Sequence, residues 1–209
     1  MPDFRIERSL PGPVAGVDES GRGPLAGPVV AAAVVLTEQK VKRAVLRRID
    51  DSKRLARATR EELFEKLRVS AHIGLGAASV REIDSLNIHH AGLLAMQRAL
   101  SVLKPPPNYA IVDGKFAPFA SCPVQHVVGG DGLSLSIAAA SIVAKVVRDR
   151  LMARLAAHYP GFGFEHNCGY ATPDHFAALE RLGPTPHHRK SFAPVLNILS
   201  RGESIPLTI

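Results

Sequence analysis

Three aspartates and a glutamate carry the most chemistry in this chain: Asp18, Glu19, Asp113 and Asp131. The apolar run Val14-Ala15-Gly16-Val17 ends at Asp18, Tyr109-Ala110-Ile111-Val112 ends at Asp113, and residues 124–128 lead through Gly129-Gly130 to Asp131. In open α/β sheets, sites form beyond the carboxyl ends of strands, in the crevice where the topology switches. If the strands ending at Asp18 and Asp113 are adjacent and parallel, Asp18, Glu19 and Asp113 meet in one cleft, and Asp131 can add a fourth carboxylate. Uncompensated, such groups repel and raise one another's pKa. A divalent cation relieves that repulsion, and an all-oxygen donor set selects hard ions, Mg²⁺ or Mn²⁺, over zinc. One aspartate after a strand is an ordinary turn residue. Two such aspartates, one of them in an Asp-Glu pair and both with glycine close behind, point to a site.

The turn Gly21-Arg22-Gly23 follows the first acidic pair. Its spacing through Gly27 is G-x-G-x-x-x-G and an apolar run follows, whereas a dinucleotide fingerprint needs G-x-G-x-x-G opening a helix. No Gly-Lys-Ser/Thr phosphate loop occurs. A glycine turn beside a carboxylate cluster reads better as backbone brought close to a sugar-phosphate. The pairs His89-His90 and His187-His188 have no carboxylate or cysteine at ligand spacing, so helix-surface or phosphate-facing roles suit them better than zinc.

Charge agrees with a polyanionic partner. The 209 residues carry 26 basic and 19 acidic side chains, a net +7, and the pI is near 9.8. Residues 40–68 are the most positive stretch, with 11 basic and 5 acidic side chains. At 46% hydrophobic and 22% charged, wholesale disorder is excluded. The longest apolar run, residues 29–36, is far short of the ~20 residues that span a bilayer. Charges occupy the N-terminus where a signal peptide needs an apolar stretch, so no membrane association is expected. The two cysteines, Cys122 and Cys168, lack metal or disulfide spacing and suit a reducing cytoplasm.

To position these residues the chain must form strands, expected at 14–17, 29–36, 70–79, 109–112 and 124–128. Helical spacing begins after Thr59. A second helix spans 87–103 and stops at Pro105-Pro106-Pro107. A third runs from a cap at Ser134 or Ser136 to about 159, and a fourth from Thr172-Pro173 to Gly183. The pattern predicts an α/β fold with a mixed five-stranded sheet flanked by helices. Residues 1–159 form the main domain, and 160–209 a C-terminal helical extension.

The motif Asp18-Glu19-Ser20-Gly21-Arg22-Gly23-Pro24-Leu25-Ala26-Gly27-Pro28-Val29 resembles the opening signature of type 2 ribonuclease H, ribonuclease HII. The likeness continues, in the family's order, through Asp51-Ser52-Lys53, Ile111-Val112-Asp113-Gly114, residues 138–146, Gly169-Tyr170 and His187-His188-Arg189-Lys190-Ser191-Phe192. The resemblance implies an RNase H-like catalytic domain over 1–159 with a substrate-binding extension. It implies metal-dependent cleavage of RNA in RNA–DNA hybrids, and incision 5′ to single ribonucleotides in duplex DNA, by a monomer using Mn²⁺ or Mg²⁺. The family's four catalytic acids fall on Asp18, Glu19, Asp113 and Asp131, with Asp18, Glu19 and Asp113 as primary metal ligands. Two ions ~4 Å apart would activate a water and stabilise the leaving oxygen.

By the same resemblance, Gly21, Arg22, Gly23 and Tyr170 sense the 2′-hydroxyl. Lys53, Lys145, His188, Arg189 and Ser191 are expected on the nucleic acid, chiefly at phosphates. Asp149, four residues after Lys145, reads as that lysine's structural partner. Gly129 and Cys168 stand where the family usually has lysine, and each removes a positive charge near the expected cleft. Two other readings keep the fold: a non-catalytic nucleic-acid-binding protein, and a nuclease acting on DNA only. The first has no use for converging acids, and the second none for the Gly21-Arg22-Gly23 and Tyr170 pair.

Overall fold

Valine-, isoleucine- and alanine-rich runs pair into one sheet, and helices cover both of its faces. The structure, a computed structural model, describes residues 1–37 and 40–203. In chain order it forms α1 (Arg5–Arg8), β1 (Val14–Ser20), β2 (Val29–Val35), α2 (Arg43–Leu46), α3 (Arg57–Ser70), β3 (His72–Ala78) and α4 (Val80–Val102). There follow β4 (Tyr109–Asp113), β5 (Val124–Val127), α5 (Leu135–His158), α6 (Phe164–Asn167), α7 (Pro173–Leu182) and α8 (Ala193–Glu203). The sheet order is β3-β2-β1-β4-β5. Neighbours β1–β4 and β4–β5 are parallel, β1–β2 and β2–β3 antiparallel. All five expected strands are present in a mixed sheet.

The first strand is longer than its apolar run. Asp18 pairs with Ala32 and Glu19 with Ala31, so the acids lie within β1, not in a turn after it. Pairing with β2 holds those polar residues extended, and side chains alternate between faces along a strand. Ala15 and Val17 therefore pack with Ala95, Met96 and Ala99 of α4. Val14, Gly16 and Asp18 face α5 instead. A Cβ at Gly16 would fall inside the backbone of Ser136 and Ile137, so only glycine lets α5 lie this close to the central strand.

The helices start where their capping residues stand. Ser134 caps α5, its hydroxyl accepting from the Ile137 N–H at 3.1 Å, and Thr172 caps α7 with Pro173 in the first turn. The helix expected from Asn87 begins earlier, at Val80, behind a Ser79/Glu82 capping box. At Asn87 the backbone leaves helical geometry (φ 66°), and its side chain recaps the chain by accepting from the His89 and His90 N–H groups. Residues beyond 160 share a core with the rest, since Leu25, Ala26 and Met152 pack with Phe162, Phe164, Leu179 and Val195. The end of the tail, 204–209, lies outside the described residues. No helix among them is long and apolar enough to cross a membrane.

Gly16→Ala is expected to cost at least about 2 kcal/mol, because backbone rather than a side-chain tip blocks the added methyl. Urea denaturation checks this, and a variant as stable as the parent contradicts the packing.

Candidate active site

The parallel register of β1 on β4, with Val17 opposite Val112, brings Asp18 beside Asp113. Both point to the α5 face. After β5 the chain enters a single 3₁₀ turn, Gly130–Gly132, that carries Asp131. The Gly130 N–H donates to Asp113 Oδ1 at 2.7 Å and ties that turn to β4. One carboxylate oxygen each from Asp18, Asp113 and Asp131 lies within 4.8 Å of the others.

Asp18 is only 6% exposed. Burial, then repulsion from Glu19 and Asp113, pushes its pKa well above the usual carboxylate range. Burial, then Asp113 and Asp51, raises Asp131 as well. Lys53 is the nearby cation, its ammonium 3.9 Å from Asp131. An all-oxygen set, with Asp18 buried and Asp113 and Asp131 partly so, fits a hard divalent cation.

Glu19, expected among the ligands, lines the same cleft as Asp18 and Asp113 but is not one of the three converging carboxylates. As the next residue in β1 it points to the opposite face, where its carboxylate meets Arg22 at 3.3 Å and borders a small pocket with His89 and Asp113. Asp131, expected as a fourth acid, is the third member of the converging group.

The glycine turn is held from behind by two arginines. Arg148, fully buried on α5, donates to the carbonyls of Pro28, Cys168 and Ala26, each at 3.0 Å. Arg189, also fully buried, donates to Gly27 at 3.0 and 2.9 Å, Arg22 at 2.8 Å and Gly21 at 2.5 Å. In a planar trans peptide the C=O and the following N–H point opposite ways. With the Gly21 and Arg22 carbonyls turned inward, the Arg22 and Gly23 N–H groups turn outward, to the cleft that also holds Asp18, Asp113 and Tyr170. At Gly21 (φ 101°) a Cβ would also collide with the Arg148 side chain, so glycine is needed on both counts. Burial lowers the pKa of Arg148; burial, then Arg148 itself, pushes Arg189 down to about 9.

Arg189 and His188, expected at phosphates, are both buried in the structure. Neither has exposed surface, and their polar atoms are used internally. The Thr185 backbone N–H donates to His188 Nδ1 at 2.9 Å, so the neutral ring carries its proton on Nε2. That proton lies in the 3.0 Å contact with His175 Nε2, which leaves His175 Nδ1 to donate to the Tyr170 carbonyl at 2.8 Å. The two rings form a relay that fixes the backbone of Tyr170.

The Tyr170 side chain is half-exposed and stands beside Gly23. Lys145 and Arg148 lie over its ring, 5.7 and 5.9 Å from the centroid. Lys145 is paired with buried Asp149 at 2.7 Å, the structural partnership expected from the spacing. Ser52, of the Asp51-Ser52-Lys53 block, shares a 2.7 Å hydrogen bond with Ser141 of α5, which holds Lys53 at the cleft rim. Ser191 is exposed, but its hydroxyl donates to Asp84 at 2.6 Å. Arg148 and His175 escaped the sequence reading. The signal for Arg148 was present, since positions 141, 144, 148 and 152 form one helical stripe whose other members are Ser, Ala and Met.

A family profile described as ribonuclease HII matches residues 15–195. The ribonuclease HII of Rhodospirillum rubrum is 59% identical over 203 residues, covering 96% of this chain and 93% of that protein. The ribonuclease HII of Paramagnetospirillum magneticum is 57% identical, covering 93% and 97%. Among solved structures, the ribonuclease H2 of Pyrococcus horikoshii superposes with a TM-score of 0.72 at 29% identity, covering 92% and 99%.

Two measurements test the roles given to the buried groups. Arg189→Gln removes the charge and cannot reach three carbonyls. It should lower stability by at least about 2 kcal/mol through stranded acceptors, and leave the salt slope of hybrid binding unchanged. Lys53→Gln should instead reduce that slope by about 1. A reduced slope for Arg189→Gln would restore a phosphate contact. The second concerns pH. Burial, then His175, pushes His188 down to about 4 from its ordinary 6.5. The unfolded chain therefore takes up a proton that the native chain refuses, and stability falls as pH drops from about 6.5 toward 4. Melting temperature against pH should fall less steeply in His188→Gln.

Proposed function

The chain belongs to the ribonuclease HII family, and we propose on that premise that it is a divalent-metal-dependent endoribonuclease. It hydrolyses the RNA strand of RNA–DNA hybrids and incises 5′ to single ribonucleotides embedded in duplex DNA, leaving a 3′-hydroxyl and a 5′-phosphate. One observation carries this reading: the carboxylates of Asp18, Asp113 and Asp131 converge within 4.8 Å in the cleft that holds the Gly21–Gly23 turn and Tyr170. A binding protein without catalysis gains nothing from acids that repel phosphate.

Asp18, Asp113 and Asp131 would hold the metal, which when bound supplies Lewis-acid stabilisation of phosphate charge and an activated water. The buried setting of Asp18 keeps bulk water from screening the site. Gly130 orients the Asp113 carboxylate by donating to one of its oxygens. Arg22, half-exposed and paired with Glu19, stands at the cleft rim where a phosphate would pass. Lys53 and Lys145 add positive charge along that rim.

Choosing RNA over DNA needs donors and acceptors aimed at one hydroxyl. The outward N–H groups of Arg22 and Gly23 are donors on a rigid turn, and the Tyr170 phenol can both donate and accept. Residues 160–203 take part by presenting Tyr170. They act as a substrate-binding extension of the catalytic domain.

A duplex containing one ribonucleotide, incubated with and without Mn²⁺ or Mg²⁺, tests the whole reading. Cleavage without metal, or none with it, refutes it. Asp113→Asn should lower turnover at least ~10²-fold while duplex binding survives. Tyr170→Phe removes one hydrogen bond and should slow cleavage at the embedded ribonucleotide roughly three- to tenfold. Tyr170→Ala also removes a stacking surface, so it should lose far more, with the metal requirement unchanged in both. Equal small losses for the two variants would reduce Tyr170 to a packing residue.

A further inference from the structure

The carboxylate that completes the cluster sits on the least constrained backbone in the site. Asp131 is embedded in Gly129-Gly130-Asp131-Gly132, and three glycines in four residues leave the unfolded turn many conformations to lose. Something outside the turn must hold it. We propose that the N-terminal segment, residues 3–7, is a positioning element for Asp131, acting through Glu7 and the start of α5. This rests on the assignment of Asp131 to the metal site made above. The family match spans residues 15–195, so the segment lies outside it.

The contacts form an unbroken path. The Asp3 N–H donates to the Leu133 carbonyl at 3.1 Å, and the Leu135 N–H returns to the Asp3 carbonyl at 3.1 Å. Asp3 and Ser134 thus pair as a short parallel bridge. One turn on, Glu7 Oε1 accepts from the Ser134 hydroxyl at 2.7 Å and from the Ser136 N–H at 2.9 Å. Ser134 in turn accepts from Ile137. Residues 3–7 therefore satisfy the first two free N–H groups of α5 and hold the cap residue that satisfies the third. On the other side, Leu133 and Ser134 donate to the Gly130 carbonyl at 3.0 and 2.8 Å, and Gly130 donates to Asp113. Asp131 lies between these two anchor points.

Stability alone does not account for Glu7. Its Oε2 and the Ser136 hydroxyl are buried without a partner, an arrangement that costs free energy. A carboxylate kept there despite that cost is placed to hold the start of α5, and with it the turn. Groups that orient a metal ligand without touching the metal change affinity by about 10–100-fold when removed.

The test is a calorimetric Mn²⁺ titration of metal-stripped full-length protein without substrate, beside amide hydrogen exchange. Glu7→Ala should weaken Mn²⁺ binding about tenfold and speed exchange at 130–137 while the rest of the sheet stays protected. Glu7→Gln keeps the accepting oxygen and should stay close to the parent in both. Leu179→Ala, a core change distant in the fold, should leave Mn²⁺ binding unaltered. If Glu7→Ala does not fold, Glu7→Asp, which keeps the charge and shortens the reach, should show a weaker version of the same pattern. Parent-like Mn²⁺ binding in the Glu7 variant that folds overturns the proposal, as does equal weakening in Leu179→Ala. A parent protein that takes up no Mn²⁺ overturns the metal reading itself, and this inference with it.

Discussion

Two guanidinium groups buried without a carboxylate partner set the shape of the site. Among the described residues neither Arg148 nor Arg189 forms an ion pair; their charges are met by the carbonyls of residues 21, 22, 26, 27, 28 and 168. Burying an isolated cation costs several kcal/mol after relaxation. Six carbonyl dipoles aimed at two guanidinium planes offset that cost only if the turn keeps one conformation. The price of that solvation is a rigid loop, and the rigidity aims the Arg22 and Gly23 amides at the cleft. Arg148 comes from the central helix and Arg189 from the C-terminal extension, so one constraint locks three parts of the chain together.

The acidic cluster depends on a second constraint, the strand order. Placing β4 parallel and adjacent to β1 puts two strand ends, and hence Asp18 and Asp113, side by side. Alternation along β1 then separates Asp18 from Glu19 onto opposite faces, and the turn after β5 delivers Asp131 to the Asp18 side. The result is an acidic focus ringed by Arg22, Lys53 and Lys145, with the positive loop at its back. A polyanion is drawn by the ring and repelled at the centre unless a cation lies there, a charge pattern suited to a metal-dependent nuclease.

The histidine relay and the N-terminal segment serve the same end from the periphery. His188 and His175 pass a hydrogen bond from Thr185 to the backbone of Tyr170, on a stretch where Cys168 and Gly169 are both left-handed. Residues 3–7 do the corresponding work for the glycine-rich turn of Asp131. In each case a residue facing the cleft sits on backbone with weak intrinsic preference and is fixed by buried polar groups elsewhere. Precision to within an ångström matters for such a site.

Local signals were enough to establish the parts. Apolar runs marked all five strands, Ser134 and Thr172 marked helix starts, and strand-then-aspartate marked Asp18 and Asp113, because each depends on neighbours in sequence; the start of α4 at Val80 was not marked. Glu19 and Asp131 could not be ranked that way: which face a side chain takes follows from pairing with β2, and where a loop aspartate lands depends on β1, far earlier in the chain. The burial of Arg189 and His188 is illegible in sequence for a related reason. A basic motif near the end of the chain reads equally as a phosphate contact or an internal clamp, and only burial distinguishes them. Composition and spacing determined that an acidic, metal-suited site exists on an α/β sheet; the tertiary structure decided which groups touch it and which merely hold it, because burial and facing are properties of pairs of segments rather than of any one segment.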